Sequence, residues 1–169
     1  GISDIDTTVV DLLALAGDGP VLELGVGTGR LAVPLAEAGR AAGIRVTGVD
    51  TSPAMLRRLA ERDTARLVHA IEGDMVTGLP AGPFALAFVA YNTLFNLTGD
   101  GDHAACFRAV AERLRPGGRF VAECFVPEHP PRRGDDVGVR TMTADRVVLS
   151  VARHDPERQA AAGQFVELT

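Results

Sequence analysis

Apolar residues along the 169-residue chain follow two kinds of spacing. Short apolar runs of strand length occupy residues 21–24, 45–50, 67–71, 84–91 and 119–126. Before the first run and between most of the others, the apolar residues recur at helical spacing, which predicts helices over residues 7–16, 31–40 and 102–114 and a helix that begins at Pro53. Strands that alternate with helices across short connections favour a doubly wound, mostly parallel α/β sheet with helices on both faces.

Local residues indicate how some of these helices begin, bend and end. Asp6 or Thr7 is the predicted cap of the first helix. Pro34 is expected to bend the second helix unless it falls in the first turn. The Pro-Gly-Gly sequence at residues 116–118 predicts a turn between the fourth helix and the fifth strand.

The pattern changes after residue 126. A proline-rich stretch that contains Pro127, Pro130 and Pro131 precedes three runs at strand spacing, at residues 137–142, 146–154 and 164–168. These runs predict an antiparallel β meander appended after the fifth strand. We expect one domain, in which residues 1–126 form a ligand-binding core and residues 127–169 form an antiparallel insertion on the substrate side.

The first predicted strand leads directly into a glycine-rich turn, VLELGVGTGR at residues 21–30. Gly25, Gly27 and Gly29 remove every second side chain, so a ligand can approach the backbone closely. A dinucleotide fingerprint would need a third glycine where Arg30 stands. The chain also contains no lysine, so this turn does not have the composition of a nucleotide triphosphatase phosphate loop.

Four short motifs follow one another at the ends of the predicted elements. They are ELGVGTG at residues 23–29, VDTS at 49–52, GDM at 73–75 and LRPGG at 114–118. Taken alone, Asp50 could bind a ribose or cap the following helix, and Asp74 could bind a ligand or be a solvated turn residue. In this order, the motifs resemble those of the class I S-adenosylmethionine-dependent methyltransferases, over residues 21–126.

The resemblance implies a Rossmann-like core that binds S-adenosyl-L-methionine. It implies that the glycine turn meets the methionine part of this cofactor, that Asp50 binds the ribose and that Asp74 binds the adenine. The cofactor-binding residues that it implies are Glu23, Gly25, Gly27, Gly29, Asp50, Thr51, Met55, Asp74, Met75 and Ala90.

The segment after the fourth predicted strand is where an acceptor should meet the methyl group. It lacks both the Asn/Asp-Pro-Pro-Tyr sequence of amino-group methylators of DNA and the acid of metal-dependent catechol-type members. It is similar instead to small-molecule methyltransferases of bacterial secondary metabolism, which implies methyl transfer to a small molecule by direct displacement. The candidates for contacting the acceptor are Tyr91, Asn92 and Glu123, with His103 and His129 as further alternatives. Each of them could instead have a purely structural role.

Two other functions remain open at this point. A nicotinamide (NAD)-dependent oxidoreductase would use the same fold, glycine turn and Asp50, although Arg30 counts against it. A non-catalytic module that only binds S-adenosylmethionine is the second alternative.

The composition of the chain limits which partners and which cellular location are expected. The net charge of −5 and the scattered arginines disfavour nucleic acid as a partner. Glycines and prolines interrupt the uncharged stretch at residues 75–99, so no membrane span is predicted there. Cys106 and Cys124 are expected to be buried free thiols, which favours a cytoplasmic location, and no metal site is expected.

The length of the predicted sheet suggests a fragment. The class I methyltransferase sheet ordinarily has seven strands, whereas five parallel strands end by residue 126 here and no helix of useful length is predicted after them. We therefore expect the chain to lack one helix and two terminal strands. The fifth strand or its neighbour would then present an unpaired edge that favours self-association into a homo-oligomer.

Overall fold

The structure is a computed structural model that describes residues 4–126 and 132–169. Two compact units are present, Gly1–Cys124 and Phe125–Thr169. The first unit holds the alternating helices and strands, and the second holds the antiparallel strands. That the two units make up one domain stays a prediction.

The first unit is a five-stranded parallel sheet flanked by helices, as predicted. Its elements in chain order are α1 (Ile5–Ala16), β1 (Val21–Leu24), α2 (Ala32–Gly39), β2 (Val46–Asp50), α3 (Pro53–Arg62), β3 (Val68–Glu72), β4 (Phe84–Val89), α4 (Asp102–Ala111) and β5 (Leu114–Ala122). The strands pair in the order β3-β2-β1-β4-β5, and every pairing is parallel. Because the order reverses next to β1, the carboxyl ends of β1 and β4 border the crevice where such sheets bind ligands.

The hydrophobic core explains why the central strands β1 and β4 are almost entirely apolar. Every residue of β1 and β4 is buried. Side chains on one face of the sheet pack against α1, α2 and α3, and those on the other face pack against α4. A strand covered on both faces favours apolar residues at nearly every position, and Glu23 of β1 is the exception in these two strands.

The structure bears on two local predictions about helices, and the predicted cap of α1 was wrong. The cap of α1 is Asp4, whose carboxylate accepts a hydrogen bond from the Thr7 backbone N–H, rather than Asp6 or Thr7. Pro34 is the third residue of α2, in the first turn, where the missing N–H would have had no partner within the helix. The physical reason for the expected bend is therefore absent.

The LRPGG turn lies inside β5 instead of before it. Phe84 pairs with Leu114 and Leu86 pairs with Arg119, so the residues between Leu114 and Arg119 form an irregularity in one continuous strand. The strand β5 pairs with β4 both before and after this turn. The strand therefore begins earlier than residue 119, the predicted start.

The second unit is a three-stranded antiparallel sheet in the order β6-β7-β8, which confirms the meander. Its strands are β6 (Gly134–Met142), β7 (Val147–Asp155) and β8 (Ala160–Leu168). Within the described residues, no helix follows β5. The proline-rich stretch at residues 127–131 lies outside the described residues. The substrate-side role of residues 127–169 stays a prediction.

The ends of the five-stranded sheet are β3 and β5. The expectations of a fragment and of self-association through this edge stay predictions. Across residues 4–126 and 132–169, no helix has the length and apolar character needed to cross a membrane.

Candidate active site

The glycine turn after β1 is built from three left-handed residues. Gly25, Gly27 and Gly29 have φ angles of 67°, 54° and 74°, which L side chains rarely adopt. A side chain at Gly25 would overlap Thr93, and one at Gly29 would lie 2.8 Å from Val33 Cγ2. At Gly27, by contrast, a Cβ would meet nothing within 4 Å. The turn therefore leaves open space at Gly27.

Asp50, at the end of β2, ties this turn to the neighbouring strand. Its Oδ2 accepts a hydrogen bond from the Gly27 backbone N–H at 2.8 Å, and its Oδ1 accepts one from the Ser52 N–H at 2.8 Å. Each oxygen keeps a second lone pair. Asp50 thus shapes the glycine turn and the start of α3, whatever else it binds.

Glu23 lies within β1, two residues before the turn, and is 4% exposed. Its Oε2 is the only buried side-chain polar atom without a hydrogen-bond partner in the described part of the chain. Burial raises the pKa of Glu23 well above its ordinary value, the backbone N–H of Ala32 partly offsets this, and the negative charge of Asp50 adds to it. A cation or a hydrogen-bond donor that reached Oε2 would relieve this unfavourable burial.

Asp74 follows β3 and uses one of its two oxygens to form a turn. Its Oδ1 accepts hydrogen bonds from the backbone N–H groups of Val76 at 2.8 Å and Thr77 at 2.9 Å, and from the Thr77 hydroxyl at 3.2 Å. The backbone donors are the main reason that the pKa of Asp74 is lowered. Its Oδ2 accepts no hydrogen bond among the described residues and is available to a ligand.

A cavity of about 190 Å³ brings several predicted residues together. It is lined by Gly25, Asp50, Thr51, Gly73, Asp74, Met75, Thr93, Asn96 and Leu97. Five of the ten predicted cofactor-binding residues are in this lining: Gly25, Asp50, Thr51, Asp74 and Met75.

The other five predicted residues are elsewhere. Ala90 is buried, Met55 is 40% exposed on α3, and Glu23, Gly27 and Gly29 do not line the cavity. Three further lining residues were not predicted from the sequence: Thr93, Asn96 and Leu97, in the short turn after β4. This segment was expected on the acceptor side, and no local pattern indicates that the turn also borders Asp50 and Asp74. A larger groove of about 540 Å³ between α3 and β3 contains no predicted site residue.

The three acceptor-side candidates lie together at the ends of β4 and β5. The Tyr91 N–H donates to Glu123 Oε2 at 3.2 Å, and the Asn92 N–H donates to the Glu123 carbonyl oxygen at 3.3 Å. The guanidinium carbon of Arg30 lies 4.3 Å from the centre of the Tyr91 ring. Burial raises the pKa of Tyr91, while the positive charge of Arg30 lowers it. Arg30 was considered in the sequence only as the residue that replaces a third glycine.

The remaining candidates do not join this group. His103 is in the first turn of α4 and does not line the cavity, and His129 lies outside the described residues. In the ranges that the structure covers, no three His, Cys, Asp or Glu side chains are placed to hold a metal ion. Cys106 and Cys124 are both free thiols, as predicted, but only Cys106 is buried, whereas Cys124 is half-buried near the edge of the core.

Comparisons with known proteins identify the family of the chain. Residues 21–118, more than half of the chain, match the model of the family described as "Methyltransferase domain". The chain is 35% identical over 148 residues to the cypemycin N-terminal methyltransferase of a Streptomyces species. That match covers 86% of this chain and 59% of the relative, so the chain spans less than two thirds of the relative's length.

Solved structures show the same fold. The CcbJ methyltransferase from Streptomyces caelestis is 35% identical, with a TM-score of 0.89 over 98% of this chain and 71% of that one. CalS10 from Micromonospora echinaspora, an amino pentose methyltransferase solved with S-adenosylmethionine bound, is 22% identical, with a TM-score of 0.68 over 98% of this chain and 75% of its own. At this lower identity the likeness concerns the fold alone.

Proposed function

Because the chain belongs to the family of methyltransferase domains, we propose that it transfers a methyl group from S-adenosylmethionine to a small-molecule acceptor by direct displacement. The observation that carries the proposal is the buried Glu23 oxygen that lacks a partner next to the glycine turn. An ammonium group is a suitable partner for such an oxygen, and the amino-acid end of S-adenosylmethionine has one.

Other features of the site fit the same cofactor. Gly27 leaves open space, Asp50 has lone pairs available for ribose hydroxyls, and Asp74 Oδ2 is available for the adenine amino group. Met75 lines the cavity beside Asp74 and would contact the adenine ring. The residues proposed to hold the cofactor are Glu23, Gly25, Gly27, Gly29, Asp50, Thr51, Met55, Asp74, Met75 and Ala90. When bound, the cofactor supplies a methyl group on a positively charged sulfur.

The chain's own contribution to the reaction is to position the acceptor, exclude water and remove a proton. Direct displacement needs no covalent intermediate with the protein, so correct placement can supply much of the rate. We assign the placement of the acceptor to Tyr91 and Asn92. Glu123 uses Oε2 for the Tyr91 N–H, and Oε1 has no hydrogen bond in the described part of the chain. This second oxygen is the proposed acceptor of the proton.

The acceptor proposed for first testing is an amino group. The support is the cypemycin relative, which is named as an N-terminal methyltransferase. An amine must lose a proton around the time of methyl transfer, which suits a nearby carboxylate such as that of Glu123.

Binding and turnover distinguish the proposal from its alternatives. In isothermal titration calorimetry the chain is expected to bind S-adenosylmethionine and S-adenosylhomocysteine but not NAD. Release of labelled methyl groups to a panel of amines then tests catalysis. Binding of NAD without S-adenosylmethionine would point to an oxidoreductase, whereas binding of S-adenosylmethionine without transfer to any amine or hydroxyl compound would favour a non-catalytic module.

A matched pair of glycine variants tests whether the turn binds the ligand. Gly27 and Gly43 both have a left-handed backbone, and a Cβ at either position would meet nothing within 4 Å. Valine at either position therefore brings similar backbone strain. Gly27→Val is expected to weaken S-adenosylhomocysteine binding more than about tenfold because the side chain fills the ligand's space, whereas Gly43→Val keeps wild-type affinity. Equal affinities in the two variants would show that the turn is structural only.

Location and assembly are also proposals. The two free thiols support a cytoplasmic location, and the net charge of −5 supports the absence of a nucleic-acid partner. The interrupted apolar stretch at residues 75–99 supports the absence of a membrane partner. The edge position of β5 supports self-association, which sedimentation velocity would test by the mass of the species in solution.

A further inference from the structure

Tyr91 lies two residues after the end of β4 in an unfavourable backbone conformation. Tyr91 and Asn92 have φ angles of 54° and 64°, so two consecutive residues other than glycine are left-handed. For a bulky side chain such as tyrosine this is an outlier. Such residues persist only where their surroundings hold them, and they concentrate at functional sites.

Glu123, which directly follows β5, holds the backbone of Tyr91 and Asn92. Glu123 accepts the Tyr91 N–H through its carboxylate and the Asn92 N–H through its carbonyl oxygen. The Glu123 N–H in turn donates to the Val89 carbonyl oxygen at 2.9 Å. The backbone of Tyr91 is thus fixed to the end of the sheet, but these bonds do not fix its ring.

Arg30 lies over the ring of Tyr91, whose side chain also packs against the hydrophobic core of the first unit. Its guanidinium carbon is 4.3 Å from the ring centre, well within the range of a cation–π interaction. Arg30 directly follows Gly29, so this contact connects the ring to the glycine turn. The Arg30 side chain makes no hydrogen bond or ion pair with the described residues, which leaves the Tyr91 ring as its identified partner.

We infer that Arg30 is a positioning residue that holds the Tyr91 ring against the glycine turn while Glu123 fixes the Tyr91 backbone. The phenol is then presented in one orientation at the end of β4. The role of that phenol toward an acceptor rests on the proposed function, but the contact between Arg30 and Tyr91 does not. Arg30 acts through Tyr91 and is not itself a contact of the cofactor.

The composition of the chain makes this inference directly measurable. Tyr91 is the only tyrosine, and there is no tryptophan. Tyrosine fluorescence and the absorbance of the phenolate therefore report on this one ring. Time-resolved fluorescence anisotropy at neutral pH measures how freely the ring moves, and alkaline titration of the absorbance measures the pKa of its phenol.

Arg30→Gln is expected to increase the motion of the ring and to move the phenol titration to higher pH. The sign follows because Arg30 favours the charged phenolate, whereas burial and the negative charges of Glu123 and Glu23 oppose it. Arg30→Lys, which restores a cation, is expected to return the titration toward that of wild type. The matched control is Arg40→Gln, which removes another exposed arginine and should change neither signal.

S-adenosylhomocysteine affinity separates this role from cofactor binding. Affinity within about twofold of wild type in Arg30→Gln, together with a more mobile ring, is the expected result, since an exposed cation–π contact contributes only a modest free energy. An unchanged ring and phenol titration in a folded Arg30→Gln protein would overturn the inference. So would a loss of more than about tenfold in S-adenosylhomocysteine affinity, because Arg30 would then be a cofactor contact.

Two further controls keep the outcomes distinct. Thermal unfolding shows whether Arg30→Gln is folded. If it is not, Arg30→Met, which keeps an unbranched side chain without charge, is judged by the same criteria. A wild-type protein that binds no S-adenosylhomocysteine would count against the proposed function. The anisotropy and titration of the free protein would still decide the role of Arg30.

Discussion

Asp50 and Glu23 lie on the adjacent strands β2 and β1, but their carboxylates meet different surroundings. Both oxygens of Asp50 accept backbone hydrogen bonds of 2.8 Å, whereas Glu23 is buried and its Oε2 has no partner in the described residues. The charged carboxylate of Asp50 therefore stabilises the fold through two backbone hydrogen bonds, whereas the buried charge of Glu23 destabilises it. Removing the carboxylate of Asp50 should lower both the stability of the fold and the affinity for the cofactor. Removing the charge of Glu23 should raise the stability but lower the affinity.

Asp50→Ala is expected to have the largest effect. The Gly27 and Ser52 N–H groups both lose a charged acceptor. The free energy of unfolding should fall by about 3–6 kcal/mol, since each of the two hydrogen bonds to this charged group contributes about 1.5–3 kcal/mol. S-adenosylmethionine affinity should fall at least about tenfold because both the ribose contact and the shape of the turn are lost. Denaturant unfolding and calorimetry measure the two losses.

Two variants sharpen this result. Asp50→Asn keeps one acceptor oxygen and should lose about half as much stability as Asp50→Ala. Asp11→Ala removes an exposed acid from α1 and should stay within about 0.5 kcal/mol of wild type. An Asp50→Ala protein as stable as wild type would show that the two backbone hydrogen bonds contribute nothing measurable.

Glu23→Gln is expected to have the next largest effect, with opposite signs for stability and binding. Burial raises the pKa of Glu23, so the ionised carboxylate is unfavourable in the fold at neutral pH. Removing the charge should raise the free energy of unfolding by about 1 kcal/mol, the scale of one buried unsatisfied group. The ammonium of the cofactor would lose its partner, so S-adenosylmethionine binding should weaken about tenfold.

The pH dependence identifies charge as the cause. Below the ordinary pKa of 4.5, Glu23 is protonated in the folded and the unfolded chain, and wild type and variant should differ little in stability. As the pH rises from 4.5 through the raised pKa of the folded state, wild type should lose stability relative to Glu23→Gln. Glu37→Gln, an exposed change on α2, is the matched control. A Glu23→Gln protein less stable than wild type at neutral pH would contradict this account.

The sequence predicted the elements whose pattern depends on burial. β1 and β4 are apolar at nearly every position because both faces of the central strands are covered. Residues 160–162 are all alanine, which locally favours a helix, yet they form part of β8 because they pair with β7. Pairing partners distant in sequence also explain why the LRPGG turn interrupts β5 without ending it.

For the site, the sequence likewise predicted the features that follow from local order but not the contacts between distant residues. The positions of Asp50 and Asp74 at strand ends follow from the order of the elements. The hydrogen bond from Gly27 to Asp50 and the contact between Arg30 and Tyr91 join residues far apart in the chain, and no local pattern shows them. The lack of a partner for Glu23 Oε2 likewise depends on which groups surround it after folding.

Asp74→Asn is expected to have the smallest effect on the fold. Asp74 resembles Asp50 at one oxygen and Glu23 at the other. Its Oδ1 accepts the hydrogen bonds of the turn, while its Oδ2 accepts none among the described residues. Asparagine keeps an oxygen at the Oδ1 position, so the free energy of unfolding at neutral pH should fall by no more than about 0.5 kcal/mol. Because the pKa of Asp74 is lowered below 3.8, its charge stabilises the fold above that pH, and the difference from Asn should vanish as the pH falls through the lowered pKa.

The same variant should change which base the site prefers. In wild type, Asp74 Oδ2 is proposed to accept a hydrogen bond from the adenine amino group, whereas the asparagine would place an NH₂ donor there against another donor. S-adenosylhomocysteine affinity should therefore fall by about threefold to tenfold in Asp74→Asn. The deaminated analogue S-inosylhomocysteine carries a carbonyl oxygen in place of the amino group, and that oxygen can accept from the new NH₂. Calorimetry with both ligands should show that wild type prefers S-adenosylhomocysteine and that Asp74→Asn loses or reverses this preference, while an unchanged preference would place the adenine away from Asp74.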